Sequence, residues 1–321
     1  MQVKSKVIIT GANGFVGSAA FNKISELEQY TVSGAVRHNT EKSSFISIGD
    51  MNYETDWSNI LRGQNVVIHT AARAHVMIDE AINPLAEYRR VNVEASVNLA
   101  KQAARAGVNR FIFISSIKVN GNGGERSRVY YHNDPPAPED NYGISKAEAE
   151  VELKKIAEDT GMEMVIIRPT LIYGPDVKGN FNSLIKLVCW GLPLPLGAIH
   201  NCRSMVAIDN LIDLIVTCID HPKASGQTFL VSDDQDMSTT ELLEVMAHSF
   251  NKKAILIPIP AKLLHIAARL LGREAIVDRL CGSLKVDITH TKETLDWRPP
   301  VTMEQQLAKI VESMHLSSRS I

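Results

Sequence analysis

The segment Thr10-Gly-Ala-Asn-Gly-Phe-Val-Gly17 constrains this chain more than any other. It joins a short apolar run, Lys6-Val-Ile-Ile-Thr10, to a stretch that reads as a helix over about Phe15 to Glu28. In a strand–loop–helix unit each glycine has a steric task. Gly11 permits the tight turn, Gly14 lets the backbone approach a pyrophosphate, and Gly17 lets the helix pack on the strand. The N–H groups and partial positive charge at the helix N-terminus then face the phosphates. Asn13, Phe15 and Val16 complete the turn and join the three glycines as expected dinucleotide contacts.

Downstream, strand-like and helix-like patterns alternate. Thr31 to Val36, Ser44 to Ile48, Val66-Val-Ile-His69, Arg110 to Ser115 and Met164 to Arg168 read as strands. Asn83-Pro84 fits the cap and first turn of a helix reaching about Ala106 and stopping at Gly107. Gly121 to Asp140 reads as a loop, and Tyr142 to about Asp159 as a helix. Such alternation predicts an α/β fold, a Rossmann-like doubly wound parallel sheet covered on both faces. After Gly174 prolines increase and helices dominate. Residues 1–173 are therefore expected to form a dinucleotide-binding domain and 174–321 mainly a smaller, mostly helical substrate lobe. A segment of about 204–232, including Gln227 to Val231, is expected to return to the first domain.

A formal charge of −2 over 321 residues offers no electrostatic case for nucleic acid or a membrane surface. No apolar run is long enough to span a bilayer, and the first residues lack the layout of a secretory leader. Cys189, Cys202, Cys218 and Cys281 show no metal or disulfide spacing, so no metal is expected, and a cytoplasmic setting is the default.

Tyr142 and Lys146 stand four residues apart, which on a helix places them on one face. A phenol titrates near pH 10 and is a poor acid or base at neutrality, but an adjacent ammonium lowers that value. The pair therefore reads as a tuned general acid/base, with a surface Tyr and Lys as the plain alternative. At the end of the second strand, NAD binding ordinarily uses an acid for the ribose 2′-hydroxyl. Here Gly34-Ala-Val-Arg-His38 has none, and Arg37 is placed to pair with a 2′-phosphate. NADP(H) is therefore the favoured cofactor, with NAD(H) the alternative.

Taken with His69-Thr-Ala-Ala72, Asn92, Ser115-Ser116 and Arg168-Pro-Thr-Leu-Ile-Tyr-Gly-Pro175, these motifs resemble the extended short-chain dehydrogenase/reductase family of nucleotide-sugar epimerases, dehydratases and reductases. The resemblance implies that Tyr142 is the acid/base at the sugar oxygen and that Lys146 tunes it and holds the nicotinamide ribose. It implies that Ser116 bonds the same sugar oxygen and that Asn92 supports the site. Asp50 and Met51 would lie by the adenine, and Ala71 and Ala72 would line the cofactor. Ser115, Lys118, Asn180, Arg203 and Arg279 are the implied substrate contacts. Leu171 departs from the family's frequent Asn. A homodimer paired through two long helices is also implied.

The same resemblance bears on the reaction at C4 of a UDP-sugar. Dehydratases of the family carry Asp-Glu after the active-site Ser/Thr, whereas this chain has Ile117 and Lys118, which argues against dehydration. Ser115-Ser-Ile-Lys-Val-Asn-Gly121, Leu192-Pro-Leu-Pro-Leu-Gly197 and Val231 to Thr240 are similar to UDP-4-keto-6-deoxy-N-acetylhexosamine reductases of surface-polysaccharide synthesis. The expectation is thus 4-keto reduction, with UDP-hexose or UDP-N-acetylhexosamine 4-epimerisation as the alternative and a non-catalytic dinucleotide sensor as the other class.

Overall fold

The computed structural model describes residues 4–38, 42–74, 81–124 and 128–319. From the N-terminus the chain forms β1 (Ser5–Thr10), α1 (Phe15–Ser25), β2 (Tyr30–Val36), β3 (Phe45–Ser47), α2 (Ser58–Leu61), β4 (Val66–His69), α3 (Pro84–Arg89), α4 (Ala95–Arg105) and β5 (Arg110–Ile114). Next come β6 (Val129–Tyr130), α5 (Asn141–Thr160), β7 (Glu163–Pro169), β8 (Leu171–Tyr173), α6 (Asn180–Trp190), β9 (Arg203–Ala207), α7 (Ile208–Asp220), β10 (Thr228–Val231) and β11 (Asp236–Met237). The chain ends with α8 (Thr239–Ser249), α9 (Ala261–Leu270), α10 (Glu274–Cys281), β12 (Lys285–Val286), α11 (Thr289–Leu295) and α12 (Met303–Arg319).

Seven strands form one sheet in the order β10-β7-β5-β4-β1-β2-β3, and neighbouring pairs run parallel. Alternation along each strand divides the core into two layers. Val7, Ile9, Ile68, Ile112 and Val165 face α1 and α7, while Ile8, Val67, Phe111, Phe113 and Ile166 face α4 and α5. These apolar strands are buried on both faces, as a parallel sheet requires. The chain leaves β1 towards β2 on one side and β4 lies on the other, so the order reverses at β1. A crevice opens at such a point beyond the carboxyl ends of the strands. A third apolar cluster, with Phe181, Met205, Leu243, Met246 and Leu307, holds α6, α8 and α12 together.

Three local features depart from the sequence expectation. The helix expected from Asn83 to Ala106 is not uniform. Asn83 caps it by accepting from Ala86 N at 3.2 Å, but Arg90–Glu94 is a π-helical turn between α3 and α4. The widened turn rotates the helix and buries Asn92 completely. The loop before α5 contains β6, which pairs with the distant β12. The segment Leu171–Tyr173 forms a second sheet with β9 and β11. Pairings so short and so remote in sequence leave no local periodicity to read.

Candidate active site

The glycine loop sits at the β1 edge of the crevice. Gly11 has φ +69, and a Cβ there would lie 2.9 Å from the Ala71 backbone N and Cα. At Gly17 a Cβ would fall far inside contact with the carbonyl oxygen of Gly11. Both positions therefore exclude any larger residue. Gly14 is exposed, and a Cβ there would meet only Gly11 O at 3.1 Å, so its missing side chain serves space outside the protein. No side chain caps α1. Its first-turn N–H groups are thus open to an anion. The loop is tied down by Gly11 N donating to Ala35 O at 2.9 Å and Gly14 N to Gly11 O at 2.8 Å. A cradle that only glycines can form, against an uncapped helix N-terminus, fits a dinucleotide pyrophosphate.

Around it, Asn13 is exposed, Phe15 and Val16 are half-buried, and Ala71 and Ala72 line the β4 side, also half-buried. Asn13 shares a cleft of about 330 Å³ with Ala12, Ser18, Asn22, Lys42 and Phe45. Asp50 and Met51 follow β3, with Met51 packed against the α4/α5 core. Arg37 Nε lies 3.1 Å from Asp50 Oδ1, and both side chains are largely exposed. Asp50, from the loop after β3, thus stands beside the end of β2 in space.

Asp140 starts α5 by accepting from Gly143 N at 2.7 Å, which brings Tyr142 and Lys146 to the crevice one turn apart. Gly143 matters here, because a Cβ would lie 2.6 Å from Lys118 O and push α5 away from the Ser116 turn. Ser116 stands beside Tyr142 and favours the phenolate. Burial, Asp140 and Tyr88 act more strongly, and they hold the Tyr142 phenol well above its ordinary value. Tyr88 meets the Tyr142 ring edge-on at 6.3 Å.

In the protein alone, the groups that shift Tyr142 are thus Asp140, Tyr88 and Ser116, together with burial. Lys146 is 1% exposed, donates to Ile114 O at 2.8 Å and stands 4.3 Å from the Phe113 ring centroid. Burial pulls its ammonium down to about 7, with Glu150 opposing. One of three N–H donors is committed and two remain.

Behind Lys146 lies a buried network that the motifs did not disclose. Glu150, one turn further along α5, takes Arg168 bidentately at 2.5 and 2.9 Å, and Arg168 also donates to Asn120 Oδ1 at 2.9 Å. Ser115 donates to the same carboxylate at 2.5 Å and is 3% exposed. Ser115 therefore faces this network and not the crevice, which removes it from the substrate contacts. The signal was Glu150 at i+4 from Lys146, continuing the Tyr142–Lys146 stripe.

Asn92 accepts from Arg73 N at 2.8 Å and donates to Arg73 O at 3.1 Å and to Ser145 Oγ at 3.0 Å. It thus joins the loop after β4 to α5. His69 bridges Thr10 Oγ1 at 2.6 Å and Ser96 Oγ at 2.8 Å, fully buried. Burial and Lys146 pull its pKa down to about 3, so it is a neutral structural imidazole.

Lys118 pairs with Asp140. Arg203 donates to Arg279 O at 2.7 Å and Gly282 O at 3.1 Å, so part of its guanidinium is spent on the C-terminal end of α10. The Arg279 side chain is exposed. Asn180 opens α6, but its side chain lies outside the described residues. Among the described residues no cluster of metal-ligating groups occurs, and no helix is long and apolar enough to cross a membrane.

The chain belongs to the NAD dependent epimerase/dehydratase family, whose profile matches residues 7–232. It is 50% identical to a UDP-glucose 4-epimerase of Vibrio cholerae over 307 residues, 95% of this chain and 94% of the relative. It is 24% identical to a GDP-6-deoxy-D-mannose reductase of Pseudomonas aeruginosa over 95% and 96% of the two chains. The fold is that of a UDP-glucose 4-epimerase from Thermotoga maritima determined with UDP-glucose. That match has a TM-score of 0.77 and 21% identity, covering 98% and 99% of the chains. These relationships make the chain a nicotinamide-dependent enzyme of the nucleotide-sugar epimerase and reductase group. They place it nearer to the epimerase reading than to the reductase expected from sequence.

Proposed function

We propose that the chain is a UDP-sugar 4-epimerase that keeps NAD bound throughout its cycle. The observation that carries this reading is the end-to-end 50% identity with a UDP-glucose 4-epimerase. The Arg37–Asp50 pair supports it, because it compensates the cation that favoured a 2′-phosphate. Dehydration finds no support. Ile117 is buried and carries no transferable proton, and Lys118 is bound to Asp140.

When bound in its oxidised form, the nicotinamide supplies a hydride acceptor and a positive charge beside the sugar. Tyr142 takes the proton from the C4 hydroxyl and returns it to the same oxygen after the keto sugar has presented its other face. Ser116 donates to that oxygen while charge is on it. Lys146 offers its two uncommitted N–H groups to the ribose and helps bring Tyr142 into range. Gly143 and Asp140 keep α5 at the distance this requires.

Two measurements separate this from the reductase reading, in which NADPH is consumed as a reagent. Purified protein is denatured and the released nucleotide is weighed by mass spectrometry. Fresh protein is then given a UDP-hexose and its C4 epimer with no added nucleotide. Bound NAD and interconversion are expected. Protein free of nucleotide that instead consumes NADPH with a UDP-4-keto-6-deoxy sugar would replace the epimerase with the reductase.

A further inference from the structure

The α9–α10 hairpin carries a feature that the reaction does not use. Helix α9 is apolar on two faces. Ala261, Leu264 and Ala268 turn towards the lobe's core. On the opposite side Leu263, Ile266 and Leu270 follow i, i+3, i+7 spacing and lie in solvent, and Leu271 continues the stripe. Leu270 and Leu271 are 83% and 73% exposed, which is unusual for consecutive leucines in a folded protein. Ile255 and Ile257, on the strand-like segment leading into α9, add to the exposed apolar area.

Positive charge predominates along this hairpin, although Asp278 faces His265 of α9 at 3.4 Å. Residues 252–279 carry six lysines and arginines against two carboxylates, in a chain whose formal balance is −2. At about 100° per residue, Lys262 and Arg269 fall together along one edge of the stripe. Arg269 pairs with Glu274 only at 3.5 Å, with both groups exposed. Whole-chain charge hides this local excess. The hairpin is also firmly attached. Asn201 donates to Leu280 O at 3.0 Å and Gly282 O at 2.8 Å, and Arg203 to Arg279 O, so it moves with the substrate lobe.

We infer that the exposed face of α9, with Leu271 and the flanking Lys262 and Arg269, docks reversibly on an anionic lipid surface. An apolar stripe with a cationic border is the pattern that lies in the headgroup layer, with leucines in the acyl boundary and cations against lipid phosphates. An antiparallel pairing of two copies through this stripe would bring the two cationic edges together.

The test is flotation of the full chain with phosphatidylcholine vesicles and with vesicles of about one-third phosphatidylglycerol. Binding is expected to the anionic vesicles, weakened at least several-fold by high salt and by Lys262→Gln/Arg269→Gln. It is lost in Leu270→Ser/Leu271→Ser. Turnover of soluble UDP-sugar is unchanged in both variants, which shows that they are folded. Wild-type protein that ignores anionic vesicles, or binds neutral ones equally, overturns the inference. So does sedimentation velocity showing a wild-type dimer that Leu270→Ser/Leu271→Ser makes monomeric, which would assign the face to a second copy.

Discussion

Tyr142 is the residue on which the proposed chemistry turns, and its surroundings in the protein oppose a role as a base. Burial, Asp140 and Tyr88 keep the phenol protonated, and Lys146 spends one of its three N–H donors on Ile114 O. In the proposed reaction the nicotinamide would add positive charge to that of Lys146. Ultraviolet difference titration of wild type against Tyr142→Phe should therefore show the phenolate forming at lower pH when NAD is present than when it has been stripped. Equal titration in both states would remove the cofactor from the tuning. Tyr142→Phe should cut turnover by about 10²–10⁴-fold while retaining NAD. Ser116→Ala removes a donor to the developing charge and should cost roughly 10²-fold in kcat. The Tyr–Lys spacing was legible because one helical turn is a local rule. The direction of the Tyr142 shift was not, because it depends on Asp140, Tyr88 and the depth of the crevice.

At the scale of elements, the glycine loop and α5 make separable predictions. Gly14→Ala should change stability by less than about 1 kcal/mol, because the added methyl meets only Gly11 O at 3.1 Å, yet weaken cofactor retention. Gly17→Ala should impair both, because its methyl would drive α1 off the loop backbone. Urea denaturation together with nucleotide content distinguishes the two. Helix α5 is pinned to β7 by the buried Glu150–Arg168 pair. Glu150→Gln leaves the guanidinium buried without its counter-charge and should cost roughly 3–5 kcal/mol, and Arg168→Met added to it should recover part of the loss. Strand and helix patterning revealed these elements along most of the first 170 residues. The π-turn that buries Asn92 escaped notice because it inserts one residue without altering composition.

For the whole molecule, two buried groups, His69 and Lys146, contribute to the dependence of stability on pH. His69 titrates near 3 in the fold against an ordinary 6.5, and Lys146 near 7 against 10.5. In both intervals the unfolded chain binds more protons, so stability rises with pH. Acidification from about 6.5 towards 3 should therefore lower the urea midpoint, and His69→Gln should flatten that slope. The sequence alone determined the parallel sheet, the glycine turn after β1 and the one-turn spacing of Tyr142 and Lys146, because each is written in contiguous residues under local steric rules. Tertiary structure decided the rest. It brought Asp50 to Arg37, turned Ser115 onto Glu150 and Arg168, and spent part of Arg203 on the end of α10. It also left the leucines of α9 in solvent. Those outcomes depend on which distant segments meet, and a charge or an apolar side chain carries no record of its partner until the chain has packed.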